Sequence, residues 1–254
     1  MIFFELQPLM MKLALGYARI APVFYLMPFL SSNLLGNQII KNTLIVLVAL
    51  GLSALMPVVP AGAGAVDLLA QSLSEGLIGL CVGLLLVMPF WVAHALGAII
   101  DNQRGATLSS SMDPINGVET SEMSNLFNLF VAAVFLQGGG MHLVLGSLEA
   151  SYLQFPPGAS WHLNLPVLLS QIDNMIGRSL VLAAPVMICL FLTEVALGIL
   201  SRFAQQLNAF SVAMTVKSAV AFLVLLVYCM PSLRDLMVLH HDAGAMLLLL
   251  QGKV

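Results

Sequence analysis

Long apolar stretches alternate along this chain with short polar or glycine- and proline-rich breaks, and that alternation predicts its elements. Six stretches are apolar enough to be read as candidate helical spans: Pro8–Leu30, Ile39–Val59, Val66–Ile100, Leu126–Leu148, Leu180–Leu200 and Phe210–Met230. A bilayer core of about 30 Å needs about 20 apolar helical residues. The breaks read "SSNLLGN", "PVVPAGAGA", "QFPPGASWHLNLP" and "RFAQQLN", all rich in turn residues. No fixed short repeat is visible, and the pattern predicts an all-α, membrane-type protein built of long helical hairpins.

The third stretch is overlong. Val66 to Ile100 as one helix reaches about 50 Å, beyond a bilayer core, with a kink expected at Pro89, where proline removes a backbone donor. Its start carries a polar face, Asp67, Gln71, Ser74 and Glu75 at helical spacing. Gly79-x-x-x-Gly83 and, more loosely, Ala93-x-x-x-Gly97 put small residues on one face, where a second backbone can come close. "GGG" at 138–140 lacks the lysine and hydroxyl of a phosphate loop and reads as a break at the end of the fourth stretch.

Composition sharpens the class. The chain is 60% hydrophobic and 8% charged, with a mean hydropathy of +1.00, against about 25% charged in an ordinary soluble domain. The few charges inside apolar stretches are therefore costly, and each asks for a partner. They are Lys12 and Arg19 in the first stretch, Glu75 in the third, Glu194 and Arg202 at the fifth, and Lys217 in the sixth. Two readings stand. These groups pair with one another or with a neighbouring subunit, or Glu75 and Glu194 serve an ion path. Cationic residues divide almost evenly between the two sides of a six-span topology, so no positive-inside bias orients the chain.

Other chemistry finds little support. No basic run points to nucleic acid, and neither HExxH nor GxSxG occurs. Cys81, Cys189 and Cys229 lie inside apolar runs and read as core residues, not as disulfides or metal ligands. His240-His241-Asp242 lacks a further ligand. The reading is no catalytic residue, no metal and no cofactor. The N-terminus, "MIFFELQPLMMK", lacks the basic region of a cleavable signal peptide.

One segment breaks the pattern: "IIDNQRGATLSSSMDPINGVETSEMSN", Ile99–Asn125, holds five charges. By composition alone it is a solvated loop. Together with its flanks it is more specific. "ARIAPVFYLMPFL", "EGLIGLCVG", "HALGAIIDNQRGATLSSSMDP", "GGGMHLVLGSLEASYLQFPPG" and "LSRFAQQLNAFSVAMTVKS" follow one another in order. This resembles the T component of the type III secretion export apparatus (the SctT family), the injectisome relative of the flagellar export protein FliR. Ala204-Gln205 stands where that family often has a proline, so the local turn there differs.

The resemblance implies a structural subunit of the protein-export gate. It is expected as one copy with five R and four Q subunits, alongside a U-type switch component and the needle or inner rod. The gate passes unfolded secreted proteins. Residues 1–150 correspond to R-like hairpins and 151–254 to a Q-like hairpin and tail. The core complex belongs to the bacterial inner membrane, raised above its plane on assembly. The loop 105–123 is implied to plug the pore, through Gly105, Ala106, Thr107, Leu108, Ser109, Ser110, Ser111, Met112, Asp113, Pro114, Ile115, Asn116 and Gly117. Asp101 and Arg104 are expected to pin its base to neighbouring helices. The alternative is a stand-alone ion-coupled transporter or channel.

Overall fold

The structure, a computed structural model, describes residues 2–30, 37–53, 65–105, 121–158, 165–203 and 209–229. Among these residues every regular element is helical: α1 (Ile2–Leu26), a 3₁₀ turn at Pro28–Leu30, α2 (Gln38–Leu52), α3 (Ala65–Arg104), α4 (Glu122–Gln137), α5 (Gly140–Gln154), α6 (Leu165–Phe203) and α7 (Ala209–Val224). A π-helical turn, Leu225–Cys229, follows α7. The all-α, membrane-type expectation holds.

The element boundaries depart from the hydropathy pattern in three places. The fourth stretch is two helices. Gly139 takes a left-handed φ of 78°, a conformation that favours glycine, so the break falls inside the stretch and not at its end. The fifth stretch begins earlier, as α6 runs 39 residues from Leu165. Its first turns carry Asp173 and Arg178 and are too polar for a hydropathy window to flag. α3 is 40 residues and continues as one helix through Pro89, spanning about 60 Å at 1.5 Å per residue.

Among the described residues, three of the six candidate spans lie in helices that are long and apolar enough to cross a membrane. These are Leu9–Leu26, Val66–Arg104 and Leu165–Phe203, with a fourth if the broken pair α4 and α5 counts as one.

The chain divides into two compact units. The first takes the described residues of Met1–Met88 and Leu136–Ile172. Within it α1 packs on α2, and its core includes Ile20, Val23, Phe24, Ile45 and Ala49, with Val82, Leu85 and Val87 of α3. Full burial of each large aliphatic or aromatic side chain contributes about 1.5–3 kcal/mol. α3 can approach α1 because Gly79 and Gly83 lack side chains. A Cβ on Gly79 would fall on the Arg19 carbonyl, and one on Gly83 would lie 3.0 Å from the Val23 Cα.

The second unit takes Pro89–Phe135 and Asp173–His240. Its core includes Phe90, Ala93, Leu96, Ile100, Phe127, Val131, Ala183, Val186 and Leu190. The rings of Phe90 and Phe135 meet edge to face at 5.3 Å, an arrangement the ring quadrupoles favour. Gly97 sits directly beneath the Ser124 backbone, where a Cβ would collide. The spanning segment of α3 is 72% buried and that of α6 only 17%, so α6 leaves most of its apolar surface bare.

Candidate functional site

Two charge centres, one in each unit, hold Arg19 with Glu75 and Asp101 with Arg104. In the first unit Arg19 is wholly buried. Its Nε donates to Glu75 Oε2 at 2.6 Å. Nη1 donates to the Ser151 carbonyl at 3.0 Å and Nη2 to the Phe155 carbonyl at 2.8 Å. The guanidinium also lies 4.1 Å from the centroid of the Tyr152 ring. Ser151 and Phe155 stand at the C-terminal end of α5, where the carbonyls carry partial negative charge; the Ser151 carbonyl also accepts from the Phe155 amide at 2.9 Å. The planar five-donor fork of arginine serves a carboxylate and two carbonyls at once, which a lysine ammonium does less well. The approach allowed by Gly79 puts Glu75 in reach.

The second centre is Asp101, 1% exposed near the end of α3. Oδ1 accepts from Arg104 Nε at 2.7 Å. Oδ2 accepts from the Ser121 hydroxyl at 2.5 Å and from the Met123 amide at 3.0 Å. Ser121 in turn caps α4, its Oγ accepting from the Ser124 amide at 3.1 Å. The free donors at the start of α4 are thus met by a serine and by an aspartate from the preceding helix. α3 ends at Gly105, whose φ of 81° turns the chain out of the helix. One carboxylate therefore holds both ends of the segment 106–120. Ser124 Oγ also donates to the His94 carbonyl at 2.7 Å, and Asn128 Nδ2 lies 3.0 Å from His94 Nδ1.

The remaining candidates are less engaged. Lys217 Nζ and Glu194 Oε2 are 2.9 Å apart, but the Glu194 side chain is 60% exposed, and such pairs contribute about 0–1 kcal/mol. Lys12 is half-buried and Arg202 exposed, and neither has an ion-pair partner among the described residues. Of the loop candidates only Gly105 is described; Ala106, Thr107, Leu108, Ser109, Ser110, Ser111, Met112, Asp113, Pro114, Ile115, Asn116 and Gly117 lie outside the described residues, as do Gln205 and His240–Asp242. Among the described residues no group of three or more His, Cys, Asp or Glu could hold a metal ion. Cys81 and Cys189 are free thiols.

Sequence reasoning put Arg19, Glu75, Asp101 and Arg104 forward but not the carbonyls of Ser151 and Phe155, nor Ser121, nor Lys41. The Ser-x-x-Ser spacing at 121–124 ahead of an apolar run is the one local signal that pointed to the α4 cap. Lys41 lies buried on α2 with its Nζ 4.3 Å from the Tyr25 ring centroid.

Buried charges that fasten helix to helix, inside an apolar scaffold of long helices, define a membrane-type helical protein. The sequence comparisons narrow that class. The chain belongs to the bacterial export proteins, family 1, whose model matches residues 10–240. It is 48% identical to the surface presentation of antigens protein SpaR of Salmonella typhimurium, over 92% of this chain and 89% of that one. Identity to the Yop proteins translocation protein T of Yersinia pestis is 34%, over 91% and 88%. The flagellar biosynthetic protein FliR of Bacillus subtilis is 30% identical over 61% of this chain and 62% of its own. The family expected from the ordered motifs is the family found.

Proposed function

We propose that this chain is a structural, non-catalytic subunit of a type III protein-export apparatus, helping to form and to plug the entrance of the channel for unfolded secreted proteins. In this reading it joins R and Q subunits as a single copy, with residues 1–150 as R-like hairpins and 151–254 as a Q-like hairpin and tail. The family and the names of the relatives, which speak of antigen presentation, Yop translocation and flagellar biosynthesis, support the export setting.

The observation that carries the loop's role is the Asp101 clamp. A segment of 15 residues, 106–120, leaves and re-enters the helices at one buried carboxylate, so its composition is free to serve something other than packing. Gly105, Ala106, Ser109, Ser110, Ser111 and Gly117 are small or polar, suited to a water-filled lumen. The two carboxylates offered for an ion path both face cations, Glu75 at Arg19 and Glu194 at Lys217, which supports fastening over proton carriage.

The test is small-solute permeability of vesicles or cells carrying the whole complex. Shortening the loop within Ala106–Asn116 should leave assembly intact and make the closed complex leaky. An assembled, fully tight shortened variant would sink the plug. Loss of uptake of one specific solute, without general leak, would favour the transporter instead.

A further inference from the structure

Three polar contacts join α3 to α4, and they lie in register. Nearest the loop, Asp101 takes the Arg104 guanidinium, the Ser121 hydroxyl and the Met123 amide. Next, the Ser124 hydroxyl donates to the His94 carbonyl at 2.7 Å. Furthest from the loop, Asn128 Nδ2 meets His94 Nδ1 at 3.0 Å. Residues 94, 97, 101 and 104 stand at i, i+3, i+7 and i+10, and 121, 124 and 128 at i, i+3 and i+7, so each set shares one helix face. The partners fall in number along α3 as they rise along α4. The two helices therefore form an antiparallel stem beneath the segment 106–120.

This seam has no slack. A Cβ on Gly97 would run into the Ser124 backbone, so the helices touch there main chain to main chain. Met123, Ser124 and Phe127 of α4 are buried, as are Ala93, Leu96 and Ile100 of α3. Parting the stem would strip a carboxylate that is 1% exposed of three donors in an apolar setting. Hydrogen bonds to an ionised group are the strong class, and a buried charge without partners is costly. The chain beyond is of another kind: it leaves α3 through Gly105 at a φ of 81° and reads ATLSSSMDPINGVET.

We infer that the stem is a fixed neck, shut while the gate rests and while it exports, with Asp101 as its positioning residue. The inference rests on the reading of 106–120 as a plug and names its moving part: those 15 residues and no more of α3 or α4. Tied at one point, such a segment must double back. At about 3.3–3.6 Å per residue its tip reaches no further than about 25 Å from the neck. The plug is then a captive stopper, held at both ends, which moves aside for an unfolded chain and returns to the same place.

The experiment uses the whole complex and the native chain. Hydrogen exchange of the Met123 and Ser124 amides is read by mass spectrometry in the idle complex and in one holding an arrested substrate. The substrate is a secreted protein fused to a domain too stable to unfold, and complexes are recovered through it, so every channel is occupied. The two sets of rates should agree within about twofold; an acceleration of about tenfold or more in the occupied complex, equivalent to losing a charge-assisted bond, overturns the inference. Asp101→Ala supplies a second readout. It should assemble and leak small solutes as the loop-shortened variant does, which a purely structural role would not produce. An assembled Asp101→Ala complex that stays fully tight also overturns the inference. The exchange measurement stands whether or not that variant assembles. A tight loop-shortened complex with unchanged exchange removes the plug and leaves the neck standing, whereas a leaky one with accelerated exchange does the reverse.

Discussion

Replacing Arg19 by methionine keeps the length and apolar stem of the side chain and removes its charge and five donors. Glu75 is then left 1% exposed with no cation, and breaking a buried pair by removing one partner costs about 3–5 kcal/mol. The partly buried Phe155 carbonyl also loses its 2.8 Å donor, at the low end of the roughly 1–3 kcal/mol that an unmet buried acceptor costs. The two losses share one site and are not additive, so about 4 kcal/mol is the expected total. For a chain of this size each kcal/mol moves the melting temperature by about 2–4 °C, so Arg19→Met should melt about 8–16 °C lower. Glu75→Met should cost less, because Arg19 keeps both carbonyls and the Tyr152 face. The double variant should recover part of the loss, since an apolar pair of similar volume replaces a buried ion pair at little net cost. Thermal melting in mild detergent, run as a double-mutant cycle, reads all four proteins. A loss under about 1 kcal/mol for Arg19→Met, or single losses that add to within about 0.5 kcal/mol in the double variant, would refute the fastener role.

Gly79→Ala should destabilise by about 1–3 kcal/mol, since its Cβ meets the Arg19 carbonyl backbone. Gly177→Ala, with nothing within 4 Å, should gain up to about 1 kcal/mol from helix propensity; melting of the two side by side checks both. Asp101→Ala should speed hydrogen exchange of the Met123 amide about tenfold or more, the fold-change equivalent of a charge-assisted bond of about 1.5–3 kcal/mol. An unchanged rate would mean the clamp does not hold the start of α4. Glu194→Gln should shift melting by less than the equivalent of about 1 kcal/mol, because its side chain is mostly solvated. A loss as large as that of Arg19→Met would show the pair to be buried by something else.

The helical class was legible in the apolar runs, and so was the close helix contact, because glycine at i and i+4 admits a backbone whichever partner supplies it. Helix boundaries were less so. A hydropathy window averages over Gly138-Gly139 and over Asp173 and Arg178, so it merged α4 with α5 and shortened α6. The charged residues announced themselves by their cost, but cost does not identify partners. Arg19 meets a carboxylate 56 residues away and carbonyls 132 and 136 residues away, and carbonyls carry no sequence signature at all. Asp101 and Arg104, expected to reach neighbouring helices, bind each other, and Asp101 takes in Ser121 and Met123 across the loop. Lys41 escaped notice because one lysine beside a loop looks solvated until Tyr25 is placed beneath it.

The spread of Arg19's partners along the chain also sets a timetable for synthesis. A ribosome adding about 5–20 residues per second delivers Glu75 roughly 3–11 s after Arg19, and Phe155 roughly 7–27 s after it, over separations of 56 and 136 residues. Through that interval a guanidinium stands in a nascent apolar helix with its ligands unmade. The first helix therefore has no finished environment when it emerges, and it waits in water, in the insertion machinery or beside a holding factor. A chain halted at Met88 would already own the Glu75 carboxylate but not the carbonyls of Ser151 and Phe155.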